Sequence, residues 1–248
     1  MIVIYGRRTG WLCAAVLLAA TGVTASAARA ERAKAVIELF TSQGCSSCPP
    51  ADRLFAPLAK RADVITLSLP VDYWDRLGWK DTLAKPAFTA RQQAYGQSRG
   101  DGQVYTPQAV LNGKSHFVGS SRSGLETALA APSEFPIALE VSRTASGIHV
   151  SVAGQTAAKV AQSATVLAMP IVSVREVAVG RGENANNHLT YTNVVREIET
   201  IASWTGQPLD LDIPADRYSG YDGLVVIVQN GTAKTPGAIL GAARLPLR

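Results

Sequence analysis

The sequence predicts an exported α/β domain carrying a dithiol, followed by a mostly β, sandwich-like domain. Three observations predict it. Cys45-Ser46-Ser47-Cys48 stands where an apolar strand hands over to a helix that begins with Pro49 and Pro50. The first thirty residues have the layout of a secretory signal, and beyond Pro132 the pattern changes from helical to strand-like. The expected units are a signal peptide over 1–30, the dithiol domain over 31–132 and the β-rich domain over 133–248.

Arg7 and Arg8 precede an apolar run from Trp11 to Ala20 and a small-residue end at Ala28-Arg29-Ala30, which is the order of a cleavable export signal. The apolar core is short for a membrane span, so a membrane is a partner only if this segment stays uncleaved. The paired arginines hint at twin-arginine export, although Thr9 and Gly10 stand where an apolar residue would strengthen that reading. Loss of Arg7, Arg8 and Arg29 takes the net charge from +5 to +2. No basic run interleaved with aromatics remains, which argues against nucleic acid as a partner. Cys13 also leaves, so Cys45 and Cys48 are the only cysteines of the exported chain, expected to be periplasmic or secreted and free to pair.

Lys34 to Phe40 reads as a strand covered on both faces, interrupted by Glu38. That carboxylate either accepts a proton from a cysteine or reaches solvent at the strand end. A helix capped by Ser47 places Cys48, Pro49 and Pro50 at positions whose N–H groups lack intrahelical partners. Cys45 then lies outside the first turn and more exposed, which suggests Cys45 as the attacking thiolate and Cys48 as the resolving thiol. Asp52 to Lys60 continues as an amphipathic helix, and Val64 to Val71 returns as a parallel strand, closing a βαβ unit.

Asp72 to Asp81 follows at the carboxyl end of that strand and brings Trp74 and Trp79, either beside the dithiol or as cover for a sheet edge. Pro86 to Gln97 is expected helical. Asn112-Gly113 marks a two-residue hairpin turn, and Ser123 to Ala131 a last short helix. Thr106-Pro107, after Tyr105, stands before the first hairpin strand; a cis bond there exposes the Thr106 backbone to an extended substrate, and trans is the commoner alternative. Thr106, Tyr105, Trp74 and Trp79 form the expected substrate-binding set.

The order strand, CxxC helix, strand, helix, Thr-Pro, hairpin, helix over about residues 33–131 resembles the thioredoxin fold. That resemblance implies dithiol–disulfide chemistry, with Pro107 cis and facing Cys45. The stretch from Glu38 to Asp52, Val71-Asp72-Tyr73-Trp74-Asp75 and Arg181-Gly182-Glu183-Asn184-Ala185 also resemble a family of secreted bacterial thioredoxin-like proteins known as a domain of unknown function.

Beyond Pro132, strands are expected at Ile137 to Val141, Ile148 to Val152, Ala164 to Val174, Thr192 to Trp204, Leu209 to Ile213, Leu224 to Gln229 and Ala238 to Leu245. About seven strands with Gly, Pro and Asn turns suggest a sandwich. The polar loop from Gly180 to His188 is too long for a tight hairpin: it reaches over the dithiol, holds a ligand, or is a solvated turn.

The leading expectation is a thiol–disulfide oxidoreductase acting on an envelope protein or a small thiol or disulfide, recycled by a redox partner, with no cofactor and with Cys45, Cys48, Glu38 and Pro107 at its centre. Two alternatives stand beside it. One is a copper(I) site built from Cys45, Cys48 and His116; the other is a non-catalytic binding module in which Cys45 and Cys48 form a structural disulfide. A peroxidase, suggested by Ser42 three residues before Cys45, is disfavoured by Glu38.

Overall fold

Strand β2 (Ala35–Thr41) is buried along its whole length, and the fold grows outward from both of its faces and both of its edges. The computed structural model describes residues 1–2, 31–131, 134–155 and 163–248. The arginines and apolar run of the expected signal peptide, and the expected boundary at Pro132, lie outside the described residues.

After β1 (Glu31–Arg32) and β2 come α1 (Pro49–Phe55), β3 (Val64–Pro70), α2 (Pro86–Arg99), β4 (Gln108–Leu111), β5 (Ser115–Val118) and α3 (Arg122–Ala130). Then come β6 (Leu139–Arg143), β7 (Gly147–Val152), β8 (Ala164–Ala178), β9 (His188–Val195), β10 (Glu199–Trp204), β11 (Leu209–Pro214), β12 (Gly223–Thr232) and β13 (Thr235–Pro246). The large sheet is ten-stranded, in the order β1-β13-β12-β8-β9-β3-β2-β4-β5, with β10 added on β8. Among the described residues only β2–β3 and β3–β9 are parallel. A second sheet holds β11, β7 and β6.

The expectation of an α/β thioredoxin-like domain followed by a separate β sandwich is therefore corrected. Among the described residues the protein is mostly β, with thirteen strands against three α-helices, and strands from both ends of the chain share one mixed sheet. The cause lies in β8 and β9. The first half of β8 is apolar on both faces, so it must be covered twice and bonded on both edges, and it lies between β10 and β12. Its second half pairs with β9, and Val194 of β9 sits against Ser68 of β3. Only β6, β7 and β11 of the expected sandwich strands make a separate layer, and the stretch expected as one strand from Thr192 to Trp204 is the end of β9 and then β10.

Alternation along the strands assigns three of the core clusters among the described residues. Val36 and Phe40 of β2, Leu67 and Leu69 of β3, Met169 of β8 and Ile227 of β12 pack around Phe88 and Tyr95 of α2. The opposite side of β2, Ile37 and Leu39, packs against Ala51 and Phe55 of α1 and Leu125 of α3. Val166 and Ala168 of β8 and Val226 and Val228 of β12 face away from α2 and meet Val141, Val150 and Ile213 of the small sheet. The sheet curls around α2 far enough for the β4–β5 turn to meet β13: Ile239 N donates to the Asn112 carbonyl at 2.9 Å.

Candidate site at the Cys45–Cys48 disulfide

The dithiol stands at the carboxyl end of β2, on the face that α1 covers. Thr41 ends the strand, and Ser42 turns the chain by accepting the Gly44 N–H on its hydroxyl at 3.1 Å. Cys48 N then donates to the Cys45 carbonyl at 3.1 Å, and the Cys48 carbonyl accepts from Ala51 and Asp52 at 2.8 and 3.1 Å. Cys48 thus caps α1, one residue later than the expected Ser47, and Pro49 and Pro50 fill the first two positions, where no N–H is needed. Cys45 and Cys48 are joined as a disulfide, with Cα atoms 5.4 Å apart.

The expectation of a more exposed Cys45 is corrected. Cys45 is 1 % exposed and Cys48 0 %, and the exposed residues of this turn are Ser46 and Ser47. The loop packs closely enough that a Cβ at Gly44 would lie 3.0 Å from the Cβ of Trp74.

Two buried carboxylates lie near the disulfide. Asp52, one helical turn beyond Cys48, accepts a 3.2 Å hydrogen bond from the Thr41 hydroxyl on Oδ2, while Oδ1 has no hydrogen-bond partner. Burial pushes its carboxyl up to about 8; the Thr41 bond opposes the shift and the charge of Asp81 adds to it. Asp81 accepts from three backbone N–H groups, Gln43 at 2.7 Å, Leu83 at 2.8 Å and Ala84 at 3.0 Å, and burial raises its carboxyl too. The phenol of Tyr191 on β9 is raised chiefly by burial and then by the charges of Asp52 and Asp81.

Glu38, expected either beside the resolving cysteine or reaching solvent at the strand end, is placed elsewhere. It alternates with Ile37 and Leu39, the residues under α1, and so points to the α2 side of the sheet. There it is fully buried and bonded by both oxygens to Arg91, at 2.6 and 3.1 Å, and by the Tyr95 hydroxyl.

The aromatic residues do border the cysteine loop. Trp74 donates its indole N–H to the Thr106 hydroxyl at 2.9 Å, and Trp79 donates to the side-chain carbonyl of Gln43 at 2.9 Å. The Thr106-Pro107 bond is cis. Gly119 N donates to the Pro107 carbonyl at 2.9 Å, and a Cβ at Gly119 would meet both Pro107 at 3.3 Å and Ala51 of α1 at 3.4 Å. Pro107 is therefore close to the first turn of the cysteine helix. Tyr105 points away toward β5, where its hydroxyl meets Nδ1 of His116 at 2.8 Å; Nε2 of that imidazole is 3.1 Å from Asp101. His116 does not join the cysteines. Among the described residues no group of three or more His, Cys, Asp or Glu side chains is placed to hold a metal ion.

The hairpin joining β8 to β9 completes the site. Asn184, buried at its tip, donates both amide protons, to the carbonyls of Gln43 and Cys45, each at 2.9 Å. Glu183 accepts from the Ser46 N–H at 3.1 Å, and hydrogen bonding from Ser46 holds its carboxyl below the usual range. Trp79 packs under the hairpin: Cβ atoms at Gly180 and Gly182 would lie 3.1 and 3.5 Å from it. Of the alternatives for this loop, the structure has it reaching over the dithiol. Sequence reasoning missed Asp52, Asp81 and Gln43 as parts of the site. Only Asp52 carried a signal, its position four residues after Cys48 on the same helix face.

Residues 36–229 match the family described as protein of unknown function, DUF1223. The crystal structure of a structural-genomics protein from Agrobacterium tumefaciens is similar over 88 % of this chain and 96 % of that one, at 32 % identity and a TM-score of 0.75. No curated protein matches significantly.

Proposed function

The chain belongs to this family of unknown function, and we propose that it is an exported thiol–disulfide oxidoreductase working through Cys45 and Cys48. The observation that carries the reading is a disulfide between cysteines three residues apart at a strand–helix junction, with a buried Asp52 one helical turn away whose carboxyl, raised to about 8, can take up or release a proton near neutral pH. The expected export signal supports a periplasmic or secreted setting, where such a pair can cycle.

Acting as a reductant, Cys45 as thiolate attacks one sulfur of a substrate disulfide. That S–S bond breaks, the departing sulfur leaves as a thiolate and takes a proton, and a mixed disulfide joins Cys45 to the substrate. The Asp52 carboxylate accepts the proton of Cys48, whose thiolate attacks the Cys45 sulfur and expels the second substrate thiolate. Two electrons pass to the substrate, and the Cys45–Cys48 disulfide forms. Run backwards, with Asp52 protonated and returning its proton to Cys48, the same steps oxidise a dithiol. The near-complete burial of Cys45 favours a second reading, a binding module with a permanent disulfide.

The deciding experiment is the reduction potential of the pair, equilibrated against glutathione. A value between about −120 and −270 mV supports the oxidoreductase, and one below about −300 mV supports the binding module. Cys45→Ala abolishes exchange and Cys48→Ala traps mixed disulfides if the mechanism is right; normal exchange in both variants rules it out.

A further inference from the structure

The exchange chemistry leaves the β8–β9 hairpin without a task, although it is bonded to the backbone on both sides of Cys45. We propose that Asn184 and Glu183 decide which thiols reach Cys45, Asn184 as the latch of a gate and Glu183 as its charge filter; the proposal rests on the oxidoreductase reading. At 1 % exposure Cys45 offers no line of approach to a thiolate coming in along the S–S axis, so the loop or its cover must move before exchange. The cover is held by three hydrogen bonds that bracket this residue: Asn184 to the carbonyls of Gln43 and Cys45, and the Ser46 N–H to Glu183.

The hairpin is built to hold that position. Val179 and Asn187 close its neck, since Val179 N donates to the Asn187 carbonyl and Asn186 N to the Val179 carbonyl, at 2.9 and 2.8 Å. Gly182 and Asn186 both take positive φ, +80° and +64°, which turns the tip inward. Asn184 is 4 % exposed and spends both amide donors on the cysteine loop, so opening costs two buried hydrogen bonds at once.

Glu183 differs in kind, because it is exposed and carries a charge. Hydrogen bonding from Ser46 keeps it ionised. A carboxylate fixed one residue from Cys45 repels an anionic thiol and attracts a cationic one, through solvent and therefore in a salt-dependent way.

The test follows the reduction of the oxidised mature protein by three monothiols, 2-mercaptoethanesulfonate, 2-mercaptoethanol and cysteamine, with rates corrected for thiolate concentration. In each case two thiols are oxidised to one disulfide while Cys45 and Cys48 gain two electrons and two protons. Asn184→Ala is expected to raise all three rates about tenfold or more with the equilibrium potential little changed, because the latch controls access. Glu183→Gln is expected to speed the sulfonate several-fold relative to cysteamine, a difference that fades in high salt.

Rapid reduction of the wild type, matched within about twofold by both variants and with the same order of thiols, overturns the gate and leaves the oxidoreductase standing. No reduction of any form until the protein is unfolded overturns both. If Asn184→Ala does not fold, Glu183→Gln carries the test alone: it leaves the buried amide in place, and an unchanged ratio of sulfonate to cysteamine rates overturns the proposal.

Discussion

Thr41 donates a hydrogen bond to one oxygen of Asp52, and the other oxygen of that carboxylate, buried beside the cysteine helix, has no hydrogen-bond partner. Such an arrangement tolerates a neutral carboxyl far better than a charged one, which is why burial pushes this group up to about 8. Between the ordinary carboxylate range near pH 4 and pH 8, the folded protein keeps the proton that the unfolded chain has lost, so stability falls as pH rises across that window and levels off above it. Asp52→Asn is expected to flatten this slope and to be the more stable protein at pH 8 and above, as urea unfolding at a series of pH values would record. The same variant is expected to slow resolution of the mixed disulfide by about a hundredfold and to remove the rise of that step through pH 8. A pH–rate profile identical to the wild type would take Asp52 out of the chemistry.

Glu38 and Arg91 make a different use of buried charge. Their pairing, with Tyr95 and Gln229 attached, ties β2, α2 and β12 together on the side of the sheet away from the disulfide. Glu38→Gln leaves the Arg91 guanidinium buried beside a neutral amide, and breaking such a pair costs on the order of 3–5 kcal/mol. The expected result is a large drop in the unfolding midpoint at pH 7, with thiol exchange at a permissive temperature unaltered. Lost exchange with intact stability would return Glu38 to the role the sequence suggested for it.

The sequence misplaced the fold class and Glu38 for different physical reasons. Local signals were legible because local chemistry makes them: the two prolines fix where α1 begins, Asn112-Gly113 turns β4 into β5, and period-2 alternation marks β6 and β7 as half-wet strands. Pairing partners are set by contacts far apart in the chain, and a strand covered on both faces, such as β8, reads alike in a sandwich core and in the middle of a mixed sheet. The same limit applies to the site. Cys45, Cys48 and the two tryptophans were visible as motifs, whereas the meeting of Asn184 with Cys45 across 139 residues depends on β9 lying against β3. For Glu38 the alternation of β2 held the answer, since Ile37 and Leu39 face α1 and their neighbour cannot.

The Asn112-Gly113 turn offers a test of how the curled sheet is closed. Both residues have positive φ, +50° and +69°, the geometry of a tight hairpin turn with no penalty at glycine. The turn is also a contact. Asn112 accepts the Val36 N–H on its side chain at 2.8 Å, and a Cβ on Gly113 would lie 2.3 Å from the carbonyl oxygen of Gly237 at the start of β13. That carbonyl already accepts from Gln229, whose side chain is part of the Glu38–Arg91 network, so it cannot retreat without disturbing the buried charges. Gly113→Ala is therefore expected to cost about 2 kcal/mol or more, above the roughly 1 kcal/mol of an unfavourable turn conformation alone. Hydrogen exchange is expected to quicken at Ile239, whose amide bonds to Asn112, while the amides of β7 in the small sheet keep their protection relative to global stability. A cost near 1 kcal/mol with unchanged exchange at Ile239 would mean that the turn only reverses the chain and does not fasten the sheet around α2.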